Sequence, residues 1–406
     1  MSAMPVIRFL DRTTPPHIMT LVLMAGIAAM SMNVFLPSLP AMAAHFEVDY
    51  AVMQLSVSLY LATTAGIQLM IGPLSDRYGR RPTTLAGLAI FMVATIGCLL
   101  APNAVVFLVF RMIQAAVATG MALSRAVVRD MVPQNEAASM IGYVTMGMAV
   151  VPMIAPAIGG GLDQLFGWKS VFVFLLLGGA GVFWLVWRDL GETATSTGMT
   201  FAEQARDYPE LFASPRFWGY ALGAAFASGA FFAFLGGGPL AADQIYGMTP
   251  FWTGLSFGAP ATGYVLGNYL SGRFSVRVGI NRMMLIGAWI VVLGLAVSVM
   301  VAAAGANHPA LFFGFVTFVG LGNGFVIPNA TAGMLSVRPH LAGTASGLGA
   351  AIMIGGGAAL SQLAGIVLRG ATSSLPLQLL MLATSIVALI CAVYVIRRAR
   401  RLAAMA

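Results

Sequence analysis

A chain of 406 residues with 59% apolar and only 8% charged residues lies far outside the soluble range, where about a quarter are charged. Its mean hydropathy of +0.89 argues against reading the 47 glycines and 20 prolines as disorder, since membrane helices are rich in both. These figures exclude a soluble enzyme, a nucleic-acid binder and a disulfide-stapled secreted domain. What remains is an all-α, polytopic membrane protein. The net charge of +8 is spread over short loops between apolar segments and builds no single binding face. Cys98 and Cys391 sit inside apolar runs without metal or redox spacing, so no cofactor and no metal are expected.

Apolar stretches of about 18–25 residues read as membrane-crossing helices. In chain order, twelve such spans run roughly over 18–44, 51–71, 84–102, 104–127, 138–162, 169–188, 217–242, 251–272, 283–305, 309–335, 343–368 and 374–396. Arg8 and Arg12 ahead of span 1, with Ala41-Met42-Ala43 after it, resemble a cleaved signal. A signal's apolar region is about 7–15 residues, and this run is much longer, so it is read as a span. One connector is long and polar, from Arg188 to Arg216, with Asp189, Glu192, Glu203, Arg206, Asp207 and Glu210. It divides the chain into an N-terminal six-helix bundle (1–188), a cytoplasmic linker (189–216) with a short surface helix in Phe201–Phe212, and a C-terminal six-helix bundle (217–406). The two bundles are expected to be separate and joined only by this linker. Placing both termini in the cytoplasm puts seventeen of the twenty-one basic residues on the inner side, leaving Lys169 and Arg369 outside and Arg111 and Arg125 within span 4.

The segment Gly72-Pro-Leu-Ser75-Asp76-Arg77-Tyr-Gly79 recurs as Gly272-Arg-Phe-Ser275-Val-Arg277-Val-Gly279 at an offset of 200, each copy following the second span of its half. Pro40 and Pro239 recur at 199. Six plus six helices related in parallel are the architecture of a transporter with its site between two halves.

The loop Gly72 to Pro82, with Asp76, Arg77, Gly79, Arg80 and Arg81, resembles the loop 2–3 signature of the major facilitator superfamily. Arg111-Met-Ile-Gln114, continuing through Arg125 to Arg129 and Asp130, is similar to the helix 4 motif of its drug:proton antiporters. Pro152, Pro156, Gly159 and Gly160 resemble their helix 5 motif, and Phe35-Leu-Pro37-Ser-Leu-Pro40 resembles span 1 of the Bcr/CflA-type multidrug exporters. The resemblance implies the twelve-helix fold, alternating access and proton-driven export. It also implies that Asp76 contacts the start of span 11 near Gly343-Thr344 and closes the cytoplasmic side, with Arg129 and Asp130 as an accompanying charge relay.

Each motif has a physical reading of its own. Gly72 and Gly79 permit a sharp turn. Asp76 suits the positive end of a neighbouring helix; Arg77, Arg80 and Arg81 are equally readable as topology anchors. Pro152 and Pro156 kink span 5, and Gly159 allows close helix packing, as a seal between the halves or as packing alone. Arg111 is buried charge in a span, so it faces a polar cavity or snorkels to the outer interface. Asn33, Tyr60, Gln114 and Asn323 are further cavity candidates, each also able to bridge helices by hydrogen bonds. Phe231 and Phe234 line a drug pocket or face lipid.

Many relatives of the Bcr/CflA type carry an aspartate in span 1 where this chain has Asn33. An amide does not titrate, which leaves Asp76, Asp130 and Asp243, at helix ends, as coupling candidates. With Arg111 in the cavity and no central carboxylate, neutral, zwitterionic or anionic amphipathic compounds are the expected cargo. No P-loop or intramembrane catalytic set is present, so no enzymatic activity is expected. The resulting expectation is a monomeric drug exporter of a bacterial-type inner membrane, with a small molecule, protons and the bilayer as partners. A proton-coupled carrier for a sugar or amino acid is the alternative.

Overall fold

The computed structural model describes residues 8–131, 140, 144, 151, 154–194, 208–338 and 341–403. Among them, ten helices are long and apolar enough to cross a membrane. They are Ile18–His45, Tyr50–Tyr78, Arg80–Leu100, Ala104–Met131, Lys169–Asp189, Pro215–Ile245, Ile280–Ala303, Pro309–Val337, Thr344–Val367 and Leu375–Ala399, which are spans 1–4, 6, 7 and 9–12. Span 8 is a helix over Gly258–Val278, more polar than the others because it carries Tyr264, Asn268, Tyr269, Arg273 and Arg277. Span 5 is helical over 154–166, and its earlier part, with Pro152, lies outside the described residues. Of the expected linker helix, 208–212 is helical and 201–207 lies outside the described residues. No strand occurs among the described residues.

Several spans change pitch where the sequence denies the backbone a donor. Span 1 runs as Ile18–Asn33, tightens at Leu36–Ser38 and resumes as Leu39–His45, with Pro37 and Pro40 at the breaks. Span 7 passes Pro239 and loosens into a wide turn at Ala241–Ile245. Span 3 starts at Arg80, four residues earlier than its apolar run, because Gly79 turns the chain at once. Gly79 has φ +95° and donates to the Ser75 carbonyl at 2.9 Å; Gly279 has φ +90° and donates to Ser275 at 2.9 Å. The sequence repeat is therefore a repeat of backbone conformation, at positions that glycine alone occupies without strain.

In the first half, span 3 packs on spans 4 and 6, and span 1 on spans 4 and 6. In the second, span 10 packs on 8 and 9, span 7 on 11 and 12, and span 9 on 12. The linker is not the only connection, contrary to the expectation: span 2 packs directly on span 11. The polar contacts between these halves lie at the end remote from the basic loops, here the far end. Toward the basic end, Gly66 and Gly72 on span 2 and Gly347 and Gly355 on span 11 have open space where a Cβ would stand. The polar contacts between the halves gather at the far end.

Candidate functional site

The Asn103 side chain caps span 4 by accepting from the Val106 N–H at 3.0 Å, and two turns later the helix carries Arg111 into the interior. Arg111 is 1% exposed and reaches neither interface, so it does not snorkel. Its guanidinium donates to the Ser31 carbonyl at 2.7 Å, the Ser31 hydroxyl at 3.2 Å, the Ser56 carbonyl at 3.3 Å and the Gln114 side-chain oxygen. The Tyr60 and Phe35 rings lie 3.9 and 4.2 Å from it, centroid to guanidinium carbon. Gln114 in turn donates to the Thr95 hydroxyl at 2.7 Å. One cation thus ties spans 1, 2, 3 and 4 together, balanced by carbonyl dipoles and aromatic faces. Asn33 is buried beside this cluster on span 1 and donates back to the Ala29 carbonyl at 2.7 Å. Asn33, Tyr60, Arg111 and Gln114 are all enclosed in this conformation.

In the second half a cavity of about 170 Å³ is lined by Ser228, Phe231, Phe232, Tyr264, Asn323 and Met353, among others. Asn323 is 3% exposed, and its amide oxygen has no hydrogen-bond partner among the described residues. An orphaned buried acceptor costs about 1–3 kcal/mol unless a donor arrives. Phe234 does not join Phe231 here. It packs among Phe257, Phe312 and Phe313 at centroid distances of 4.6, 6.1 and 5.8 Å, because three residues rotate a side chain about 60° around the helix. Asn329 donates to Ser271 at 2.8 Å and bridges spans 10 and 8.

The far end is closed by polar contacts between the halves. Gln54 donates to the Ser361 hydroxyl at 2.7 Å, Ser58 to the Gln362 side chain at 3.0 Å, Gln362 to the Ala51 carbonyl at 3.0 Å and Tyr50 to the Gly236 carbonyl at 3.0 Å. Arg369 pairs with Asp49 at 2.9 Å, and its hydrogen bond holds that carboxyl below the usual range, helped by the Ala51 N–H. On the other flank a Cβ on Gly159 would strike the Val34 carbonyl, one on Gly160 the Pro250 carbonyl, and one on Gly254 the Pro156 carbonyl. Asp163, 8% exposed, stands in this region with one carboxylate oxygen unpartnered among the described residues. Asp243 is exposed on the wide turn after span 7.

At the basic end, Asp76 pairs with Arg80, and Arg80 reaches Asp130 at 3.0 Å. Arg80, one turn on, is thus a partner of Asp76 among the described residues. Glu192, following span 6, accepts from the Arg80 N–H at 2.8 Å and the Arg81 N–H at 3.3 Å, filling the space that a Cβ on Gly79 would need. The Arg81 side chain donates to the Leu190 and Trp187 carbonyls. Arg77 is exposed and lies over Tyr78 at 5.4 Å; Arg125 and Arg129 are exposed one turn apart on span 4. Gln54, Ser361, Gln362, Asp163 and Glu192 were not singled out by the sequence, since polar residues near span ends carry no pattern of their own.

Among the described residues, membrane-length helices in two halves that repeat a glycine turn, joined by polar contacts at the far end, are the architecture of a membrane transporter. The Major Facilitator Superfamily pattern matches residues 21–362, and the chain belongs to that superfamily. It is 30% identical over 323 residues to a chloramphenicol resistance protein of Pseudomonas aeruginosa, covering 78% of this chain and 76% of that one. It is 27% identical to multidrug resistance protein D of Escherichia coli (strain K12), over 91% of this chain and 93% of the relative. A bacterial homologue of the human lysosomal transporter Spinster, crystallised in an inward-facing and occupied conformation, shares the fold with a TM-score of 0.71 and 17% identity, over 94% of this chain and 96% of that one. The protein is accordingly a multi-pass membrane transporter of small molecules.

Proposed function

We propose that the chain exports small amphipathic drugs from the cytoplasm by alternating access, in exchange for protons, as a monomer in a bacterial inner membrane. Both termini face the cytoplasm, so the basic end is the inner one. Residues 1–188 and 217–406 are the two moving bundles, and 189–216 is the link between them.

The observation that carries this reading is the second-half cavity with the orphaned Asn323 oxygen. An entering compound lays its apolar part on Phe231 and Phe232 and donates a hydrogen bond to Asn323. The Arg111 cluster, with Asn33, Tyr60 and Gln114, braces spans 1–4 of the first half and becomes part of the path when the halves move. The lack of a central carboxylate, with Arg111 facing the path once the halves move, favours neutral, zwitterionic or anionic cargo. Arg125, one turn from Arg129, adds positive charge on span 4. The Asp76–Arg80–Asp130 relay, with Gly72, Arg77 and Gly79, holds the loop that closes the inner side, while Pro152, Pro156 and Gly159 in span 5 seal the outer one. The coupling proton travels through a carboxylate, Asp76, Asp130 or Asp243, because Asn33 cannot carry it.

A susceptibility panel in an efflux-deficient host tests the reading, with Arg111→Ala as the inactive control. Resistance to neutral aromatic drugs, lowered by Asn323→Leu, is expected. Vesicles that move sugars or amino acids and no drug would overturn it in favour of a metabolite carrier. Ethidium carried as fast as a neutral drug on the same pH gradient would overturn the charge preference alone.

A further inference from the structure

Between spans 2 and 3, on a floor of span 4, lies a second and larger cavity of about 420 Å³ that plays no part in the transport reading. Its walls are Ile67, Met70, Leu74 and Tyr78 from span 2, with Ala86 and Ile90 facing them from span 3. Met70 and Tyr78 are 58% and 59% exposed, so the groove is open along its side. Gly87 sets its depth: a Cβ there would strike Thr119 and the Ala116 carbonyl, so spans 3 and 4 pack closely behind it.

The groove runs from Ile67 in mid-span to Tyr78 at the basic end. Eleven residues of helix measure about 16 Å at 1.5 Å each, half of the ~30 Å hydrocarbon thickness. It is therefore as long as one leaflet and opens at that leaflet's surface. The charge at this mouth is set by three arginines. Arg80 is taken by Asp76 and Asp130, and Arg81 by two carbonyls. Arg77, whose guanidinium lies 5.4 Å from the Tyr78 ring, is exposed and has no ion pair among the described residues. Asp76, its acidic neighbour, is turned to Arg80, which it shares with Asp130.

We infer that this groove is a binding site for one anionic phospholipid of the leaflet on the basic side, its acyl chain between spans 2 and 3 and its phosphate on Arg77. An apolar slot of one-leaflet length with a free cation at its surface end matches a lipid's own division into tail and headgroup. A soluble anion would gain nothing from the slot, and an uncharged lipid nothing from the arginine. The basic loops stand at this end, as expected for the leaflet richer in acidic lipid.

Purified, delipidated protein is incubated with equimolar phosphatidylglycerol and phosphatidylcholine of identical chains, and retained lipid is counted by native mass spectrometry. Wild type is expected to keep phosphatidylglycerol several-fold over phosphatidylcholine. Arg77→Gln should bring that ratio near one while some lipid of both kinds remains. Ala86→Phe, at an exposed position that fills the slot, should lower retention of both. If that variant misfolds, Met70→Trp fills the same space from the opposite wall. Equal retention of the two lipids by wild type would overturn the proposal, as would retention unchanged by filling the slot. Displacement of the bound lipid by millimolar inorganic phosphate would move the site to a soluble anion and overturn it too. None of these readouts depends on which compound is transported.

Discussion

Gln54 on span 2 donates its amide to the Ser361 hydroxyl on span 11 at 2.7 Å, so the two halves are bonded side chain to side chain at the far end. Neither partner is exposed, and a buried bond of this kind contributes about 0.5–1.5 kcal/mol. Gln54→Ala removes it and leaves Ser361 without this donor. The expected result is a shift toward far-end opening of about 2- to 10-fold. Spin labels at Glu47 and Thr372, one on each half, read it as a growing long-distance population. An unchanged distance distribution would mean that the bond contributes nothing to closure.

Arg111→Ala strands the Ser31 and Ser56 carbonyls in an apolar interior and removes the cation that both the Tyr60 and Phe35 rings contact. We expect a stability loss of about 1–3 kcal/mol and no transport. Arg111→Lys keeps the charge but not the planar fork that reaches spans 1 and 2 together. Its melting temperature should fall between the other two, with transport reduced but measurable. Thermal unfolding in detergent, read beside vesicle uptake, checks both.

Glu192→Gln tests the inner loop. The carboxylate stands at the start of span 3, where Gly79 offers no side chain, and it accepts from two free backbone N–H groups. Losing a cap of this kind costs about 0.5–2 kcal/mol. The amide keeps one acceptor but loses the charge, so the lower half of that range is expected. Faster hydrogen exchange at Arg80 and Arg81, with span 6 unchanged, is the signature.

The Asp49–Arg369 pair sets a pH limit. Its carboxyl is held below the ordinary range, so its contribution is complete above the unfolded value of about 4 and is lost as the pH falls through the lowered one. Both side chains are substantially exposed, so the contribution is small. Between pH 5 and 8, then, Asp49→Asn should leave the pH profile of transport unchanged in shape. A profile flattened by that variant would show that this pair, and not another carboxylate, governs the response.

The spans were legible because an apolar run of membrane length has one stable fate in lipid, and the offset of 200 became a matching glycine turn at 79 and 279. Span 8 was legible by length yet is more polar than its neighbours, since Tyr264 and Asn268 face protein or cavity. The Arg111 cluster was half legible. A lone arginine in an apolar run must have partners, but Ser31 and Ser56 are 80 and 55 positions away, and no local pattern names them. Phe234 packs among Phe257, Phe312 and Phe313 and not beside Phe231, because adjacent aromatics look alike in sequence while their helical phase differs. Glu192 was read as linker polarity, since its partners are backbone groups that carry no sequence signal.

Gly160 and Gly254 make a reciprocal pair. Each ends a Pro-x-x-x-Gly stretch, Pro156 to Gly160 on span 5 and Pro250 to Gly254 ahead of span 8. A Cβ on either would strike the carbonyl of the other stretch's proline, so two backbones from opposite halves touch with no side chain between them. Small residues permit such an approach, and any branched side chain must separate the helices. Overpacking of this kind costs about 1–3 kcal/mol, which converts to roughly 5- to 150-fold in an equilibrium between conformations. The cost falls on the closed far end alone, because the contact exists only there if the halves part on opening. Gly160→Val and Gly254→Val should therefore each populate the far-end-open state, and the double variant should add less than the sum, since one separation relieves both clashes. The distance between labels at Glu47 and Thr372 reports the populations, and melting temperature reports whether the fold itself has suffered. A lowered melting temperature with no lengthening of that distance would assign the glycines to packing within the fold and not to a seal.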